Sequence, residues 1–497
     1  MTDLALPLRP GAMRTGRGEL AATAVLAVPM ALANLLQMAV YATDVIFLAH
    51  LGQAVIAAAS LAVSVFMVQM WAFSTMTGAI ATLVAADLGH RATLGDPAHD
   101  AAGDADIRVT MRMALWLSVA CGVAGMTLCG FGAEILRATG QNAALAARAG
   151  AFLGVLRWAM IPMIFSNVLR TYVSAMGRPV FATVITAIAI LANALGNNAL
   201  IFGHWGAPRL GMPGSAVANI ITAVVTTLAY AVAILADPNL RRPALLQRWW
   251  VFDGARLVAL LKIGVPLALT VVAEGGLFSA AALLMGRISE AQLAGHALAL
   301  QIAAFAFMLP MGIGQAATIR VGYHFGAGDH AAVGRAGWTA IGFGLACSLV
   351  TAVMLLAVPR FVLSAYLDVR APGNAVVVGY AVRFMAIAAA FQLADGAQTI
   401  VSGALRGLQD TRVPMVVAIC SYWLGGFTVS VGLGLFTPLQ GTGVWIGLAL
   451  GLMIVAVCLL WRWTRREAWG LVARSHAAVP PLQPGAEMPP AEAGVAG

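Results

Sequence analysis

Twelve long apolar runs divide this chain, and they restrict its fold more than any other feature of the sequence. They fall at roughly 20–48, 53–86, 109–138, 145–173, 180–203, 212–236, 257–286, 292–325, 331–358, 375–405, 413–437 and 441–465. About 20 apolar residues of helix cross the hydrocarbon of a bilayer. A helix satisfies its own backbone hydrogen bonds there, which an open strand cannot do. Barrel strands alternate apolar and polar positions, whereas these runs are continuous. Only 10% of the 497 residues are charged, against roughly a quarter in soluble domains. The expected fold class is an all-α polytopic membrane protein with twelve transmembrane helices. Several runs exceed the bilayer thickness, so tilt or extension beyond the membrane is expected.

The net charge of +9 is nearly all arginine, Lys262 being the single lysine. Summed by side, with the amino terminus inside, the inner segments hold 21 Arg and Lys residues. The outer segments hold 6: Arg137, Arg148, Arg209, Arg287, Arg360 and Arg370. Arg157 and Arg383 lie within runs. This bias places both termini in the cytoplasm, and it explains the basic residues without a nucleic-acid partner. The first run is too long for a signal-peptide core and carries Asp44, so it reads as a span. Residues 1–19 form an N-terminal tail ahead of it. Residues 466–497, rich in Ala, Pro and Glu, read as a disordered tail. Five cysteines (Cys121, Cys129, Cys347, Cys420, Cys458) sit in apolar runs without metal-ligand spacing and read as small buried hydrophobes.

The chain repeats itself. Val28-Pro29-Met30-Ala31-Leu32 returns as Val265-Pro266-Leu267-Ala268-Leu269, an offset of 237, and Gly89 returns as Gly326 at the same offset. Between the halves lies a polar stretch, 237–256, bearing Arg241, Arg242, Trp249 and Trp250, which suits an interfacial linker. Residues 20–236 and 257–465 then form two six-helix lobes. An even number of spans per lobe makes the repeat parallel, with a pseudo-two-fold axis along the membrane normal and a cavity between the lobes. Gly443, Gly447 and Gly451, spaced by four, give the last span a face for close helix packing.

Three carboxylates stand alone in these runs, Asp44, Glu274 and Asp395, while nearly all the others fall in loops or tails or near helix ends. A charge at mid-membrane depth costs roughly 2.5–3.5 kcal/mol on insertion scales, and such groups usually face a bundle interior or a water-filled cavity where they bind ions, protons or cationic cargo. Gln392, Asp395 and Gln398 are three apart and share a helix face. Asn193 and Asn197, at i and i+4, share another, and Asn219 on the next span can join them. Asparagines of this kind also act as glue between helices. A lone His296 reads as a packing residue. Arg406 and Asp410, at i and i+4, read as a helix-end salt bridge. No G-x-x-x-x-G-K-[ST], H-E-x-x-H or G-x-S-x-G occurs, which argues against ATP hydrolysis and against an enzyme. An ion gradient is then the natural energy source.

These residues resemble the multidrug and toxic compound extrusion (MATE) family, in its NorM-like branch. The likeness covers about 20–465. It rests on Pro29, Gln37 and Asp44 in the first run, and on Gly264-Val265-Pro266 through Glu274 in the seventh. It extends through Gly295-His296 and the run from Pro310 to Gly322. The stretch Gln392 to Asp410 is the most specific, followed by Ser421-Tyr422-Trp423, with Asn193, Asn197 and Gly203 in the fifth run. The resemblance implies a secondary antiporter of the bacterial inner membrane, monomeric and without a cofactor. It would export cationic amphipathic drugs in exchange for sodium or protons. Asp44, Glu274 and Asp395 would be its functional acids, and a sodium ion would sit at Glu274 and Asp395. Gln37, Asn193, Asn197, Asn219, Gln392 and Gln398 would support them. Phe391 departs from the pattern, since some sodium-coupled members carry a tyrosine hydroxyl there. Membrane lipids are the remaining expected partners. The rival reading is a lipid-linked oligosaccharide flippase of related architecture, for which Arg157 and Arg383 are the candidate anion-binding residues.

Overall fold

Twelve helices long and apolar enough to cross a membrane make up the computed structural model, which describes residues 16–94, 97–245 and 247–473. Most of both expected tails, 1–15 and 474–497, lies outside the described residues. The first lobe holds Gly16–Ala49, Gln53–Thr93, Gly103–Gly130, Ala143–Ala175, Pro179–Phe202 and Met212–Ala236. The second holds Gly254–Ile288, Glu290–Gly326, His330–Ala357, Pro372–Gly407, Arg412–Phe436 and Gly441–Thr464. They are referred to below as the first to twelfth spans. The face where the first span begins and the twelfth ends is called the base.

Local chemistry sets the ends and breaks of these helices. The Asp253 side chain accepts from Arg256 N at 2.9 Å and starts the seventh span, and Asp329 does the same for the ninth through Ala332 N at 2.8 Å. Such caps satisfy amides that have no partner within the helix. The fifth span opens with Pro179 and stops at Gly203, whose φ of 80° suits glycine. The second span breaks at Gly78–Ala79. There Asn167 of the fourth span donates to the Ser74 carbonyl at 3.0 Å, covering a group that lipid could not. The eleventh span carries a π-helical stretch, Ser421–Phe427. The glycine stripe of the twelfth span packs against this segment: Gly447 lies against Ser430 and the Gly426 carbonyl, Gly451 against the Gly426 backbone.

The lobes meet through two symmetric pairs, the first span on the eighth and the second on the seventh, and through the second span on the eighth. At this seam Gly312 lies against Ala31 and Gly264 against the Met76 carbonyl. Asn34 accepts a hydrogen bond from Arg170 and donates to Gln315 at 3.5 Å. Gly89 and Gly326, the pair related by the 237-residue offset, each press on the other lobe's backbone. A Cβ on Gly89 would sit 1.8 Å from the Tyr323 carbonyl oxygen, and one on Gly326 would sit 2.0 Å from that of Ala86. Only glycine permits that approach.

The linker is fixed to the first lobe. Arg108 Nε donates to the Pro243 carbonyl at 2.7 Å, Tyr172 Oη to that of Leu240 at 2.7 Å, and Trp116 Nε1 to that of Trp249 at 3.1 Å. Trp116 and Trp249 stack at 5.7 Å, while Trp249, Trp250 and Phe252 remain exposed, as an interfacial belt requires.

Four details differ from the sequence expectation. Glu19, assigned to the tail, and Arg320, counted among the inner-segment charges, are both fully buried and paired with each other. Asp410 takes Arg462 at 2.5 Å rather than Arg406, because the tenth helix ends at Gly407 and Gln409 adopts a φ of 60°. Residues 465–473 continue as turns with Leu471 and Val472 buried. Cys420 is exposed, whereas Cys121 and Cys129 are buried.

Candidate ion and cargo site

Each lobe presents one carboxylate cluster. In the first lobe Asp44, half-buried on the first span, is cradled by three amides. Asn193 and Asn197 donate to Oδ1 at 3.0 and 2.7 Å, and Asn219 donates to Oδ2 at 2.9 Å. Asn193 and Asn197 are fully buried, one helical turn apart, and joined to each other at 3.0 Å. Gln37 is half-buried seven residues before Asp44, on the same helix face.

In the second lobe Glu274 of the seventh span and Asp395 of the tenth meet across one amide. Gln398 Nε2 donates to Glu274 Oε1 at 3.2 Å and to Asp395 Oδ1 at 3.0 Å. Tyr422 Oη, from the π-helical stretch, donates to Gln398 Oε1 at 2.8 Å. An amide oxygen only accepts. The tyrosine therefore fixes the orientation of Gln398 and aims its two N–H groups at the two acids. Asp395 is 4% exposed, while Glu274 is half-buried. Among the described residues no arginine, lysine or histidine pairs with Asp44, Glu274 or Asp395 in an ion pair. Two carboxylates sharing one neutral donor repel each other when both are ionised. A cation or a proton is the natural balance for this pair.

The structure thus keeps Asp44 in a cluster of its own and brings Glu274, Asp395 and Gln398 together. Gln392 does not join them: it is fully buried, and neither its amide nitrogen nor its oxygen has a hydrogen-bond partner. His296 is buried against Trp445, with ring centroids 5.6 Å apart. Arg383 is exposed on the tenth span and Arg157 half-buried on the fourth. Tyr422 is the residue that sequence reasoning missed. It was legible only as part of a motif, because a hydroxyl in an apolar run carries no charge to mark it. Phe391 packs against Phe278 and Trp445, so the one hydroxyl bound to Gln398 arrives from the eleventh span. Tyr422→Phe removes that donor. The variant leaves the buried Gln398 Oε1 without its donor and is expected to lose about 1–3 kcal/mol of stability, read as a lower melting temperature in detergent.

Both clusters lie beyond the seam between the lobes. Asp44 is ten residues past Asn34 on the first span, and Glu274 ten past Gly264 on the seventh. At 1.5 Å per residue that is about 15 Å.

A family model, MatE, matches residues 29–198 and again 266–431, one match in each lobe. The chain belongs to the MatE family. The second match begins 237 residues after the first, the offset of the sequence repeat. A probable multidrug resistance protein NorM from Mesorhizobium japonicum is 39% identical over 451 residues, covering 91% of this chain and 95% of that one. A protein of the same description from Brucella suis is 38% identical, covering 92% and 95%. Among solved structures, an outward-facing multidrug resistance MATE family transporter superposes with a TM-score of 0.80 at 19% identity, over 94% of this chain and 99% of that one. A MOP superfamily transporter from Pyrococcus furiosus, for which a reversed polarity of the binding pocket suggests a different function, gives 0.80 at 19% identity over 95% and 99%. The MatE chain described here is a multi-pass membrane transporter and not an enzyme.

Proposed function

We propose that the chain is a multidrug efflux antiporter of the bacterial inner membrane, exchanging cationic amphipathic compounds for sodium or protons. One observation carries the reading: Glu274 and Asp395 share the amide of Gln398, and no basic side chain among the described residues balances them. The missing counter-charge is a proton, a sodium ion or a cationic drug. Any one of them relieves the cost of holding the acids together in a poorly hydrated interior. Ion and drug therefore compete for one site, and that competition, coupled to alternating exposure of the site, gives antiport. The names of the relatives support a drug as cargo. Fold alone does not set the cargo, as the Pyrococcus furiosus transporter illustrates. Acidic clusters suit a cation better than the pyrophosphate of a lipid-linked sugar. The seam of lobe contacts runs along the base, and the arginine bias supports a cytoplasmic base. The clusters then face outward, and rocking of the two lobes exposes them to each side in turn.

Ethidium efflux from energised vesicles tests this reading. Imposing a sodium gradient at fixed pH, and a proton gradient without sodium, identifies the coupling ion. Efflux driven by at least one gradient is the expected result. Efflux indifferent to both contradicts antiport.

A further inference from the structure

Two ion pairs tie the lobes together at the base, and the repeat relates them. Glu19 stands in the first turn of the first span. The residue 237 positions on is Arg256, in the first turn of the seventh. Each reaches the opposite lobe. Arg320 of the eighth span donates to Glu19 through Nε at 2.9 Å and through Nη2 to both carboxylate oxygens at 2.8 and 2.7 Å. His324, one turn further, lies 3.1 Å from Arg320 Nη2 and 3.8 Å from Glu19 Oε2. Arg256 lies 3.5 Å from Asp87 of the second span and 3.1 Å from Asp106 of the third. The charges are exchanged between the two clusters: Arg256 stands at the place of Glu19, and Asp87 at the place of His324, one turn beyond Arg320.

Neither pair is a surface ornament. Arg320 and Glu19 are 0% and 1% exposed and Arg256 is 5% exposed. A buried ion pair is a poor source of net stability, because desolvation offsets its attraction, yet losing one partner strands the other charge. In some proteins such a pair selects one arrangement over another. These pairs are satisfied only while the two spans touch, and water receives all their charges once the base opens. Beside them, Gly89 and Gly326 allow the backbones to close.

We propose that Glu19–Arg320 and Arg256–Asp87 are the two latches of a gate at the base, closed in this structure and broken each time the site turns to the cytoplasm. The proposal rests on alternating access. Once Glu19 loses its charge, Arg320 is better hydrated in the open form, so Glu19→Gln shifts the balance toward that form. Asp87→Asn does the same for Arg256, partly offset by Asp106.

The test places spin labels at Thr93→Cys and Ala331→Cys, both exposed at the base, in the full-length chain lacking its five native cysteines. Their separation reports the gate without any transport. In the parent a short distance dominates. Glu19→Gln raises the ratio of long to short by about tenfold, equal to about 1.4 kcal/mol. The exchanged pair, Glu19→Arg with Arg320→Glu, restores the short distance. An unchanged distribution in Glu19→Gln overturns the latch. Should that variant fail to reach the membrane, the parent still decides: a short cleavable bis-maleimide joining the thiols introduced by Thr93→Cys and Ala331→Cys stops efflux, and cleavage restores it. Efflux through a cross-linked base contradicts the gate. A chain whose labels move apart but which exports nothing keeps the latch and loses the transport reading.

Discussion

Asp395→Asn and Glu274→Gln each bring ethidium efflux to background while the protein remains in the membrane at the level of the unmodified chain. The change is isosteric and removes only charge and the ability to bind a proton. Gln398 keeps its hydrogen bond to Tyr422 and to the carbonyl side of either new amide, so the helices stay together. What is lost is the reason for a cation to enter. A loss of at least about tenfold in efflux rate corresponds to about 1.4 kcal/mol of interaction. The double variant is no worse than either single one, because groups that act as a unit are not additive. Efflux and membrane abundance, measured on the same vesicles, separate loss of transport from loss of protein. Normal efflux in both variants would remove the pair from the mechanism.

Gly326→Ala has the second largest expected effect, for a different reason. The new methyl would stand 2.0 Å from the Ala86 carbonyl oxygen, which belongs to backbone in the opposite lobe and cannot rotate away. The seam must part by roughly 1 Å or more to relieve that contact, and the base no longer closes. Gly89→Ala, at the repeat-related position, meets the Tyr323 carbonyl at 1.8 Å and behaves alike. Gly342→Ala, with nothing within 4 Å of the new atom, is the control. Efflux is lost in the first two and kept in the third, with all three present at similar levels in the membrane. Wild-type rates in Gly326→Ala contradict close approach of the second and eighth spans as a step of the cycle.

Hydropathy made the twelve spans legible, because an apolar run must become helix inside a bilayer. The repeat was legible from Pro29 and Pro266, and the fold gives it meaning by setting the first span on the eighth and the second on the seventh. The three isolated acids stood out because each is costly where it lies. Which neighbours would join them was less legible. The i,i+3 rule put Gln392 and Gln398 on one stripe with Asp395, and only Gln398 reaches the acids. The rotation between these positions is enough to turn Gln392 elsewhere in the core. The latch pairs were hidden for another reason. Glu19 and Arg256 lie where flanking charges are ordinary, and their partners are far away in sequence, 301 residues in the case of Glu19. One signal was available: Arg320 falls inside the eighth apolar run, where a charge is as costly as it is at Asp44.

Equilibrium binding of a fluorescent cationic dye to the purified chain, titrated with sodium and separately with acid, tests the central claim most directly. Competition at the Glu274–Asp395 pair predicts that dye affinity falls as the coupling ion rises, and that Asp395→Asn flattens the response. Dye affinity in the unmodified chain that ignores both ions would contradict it.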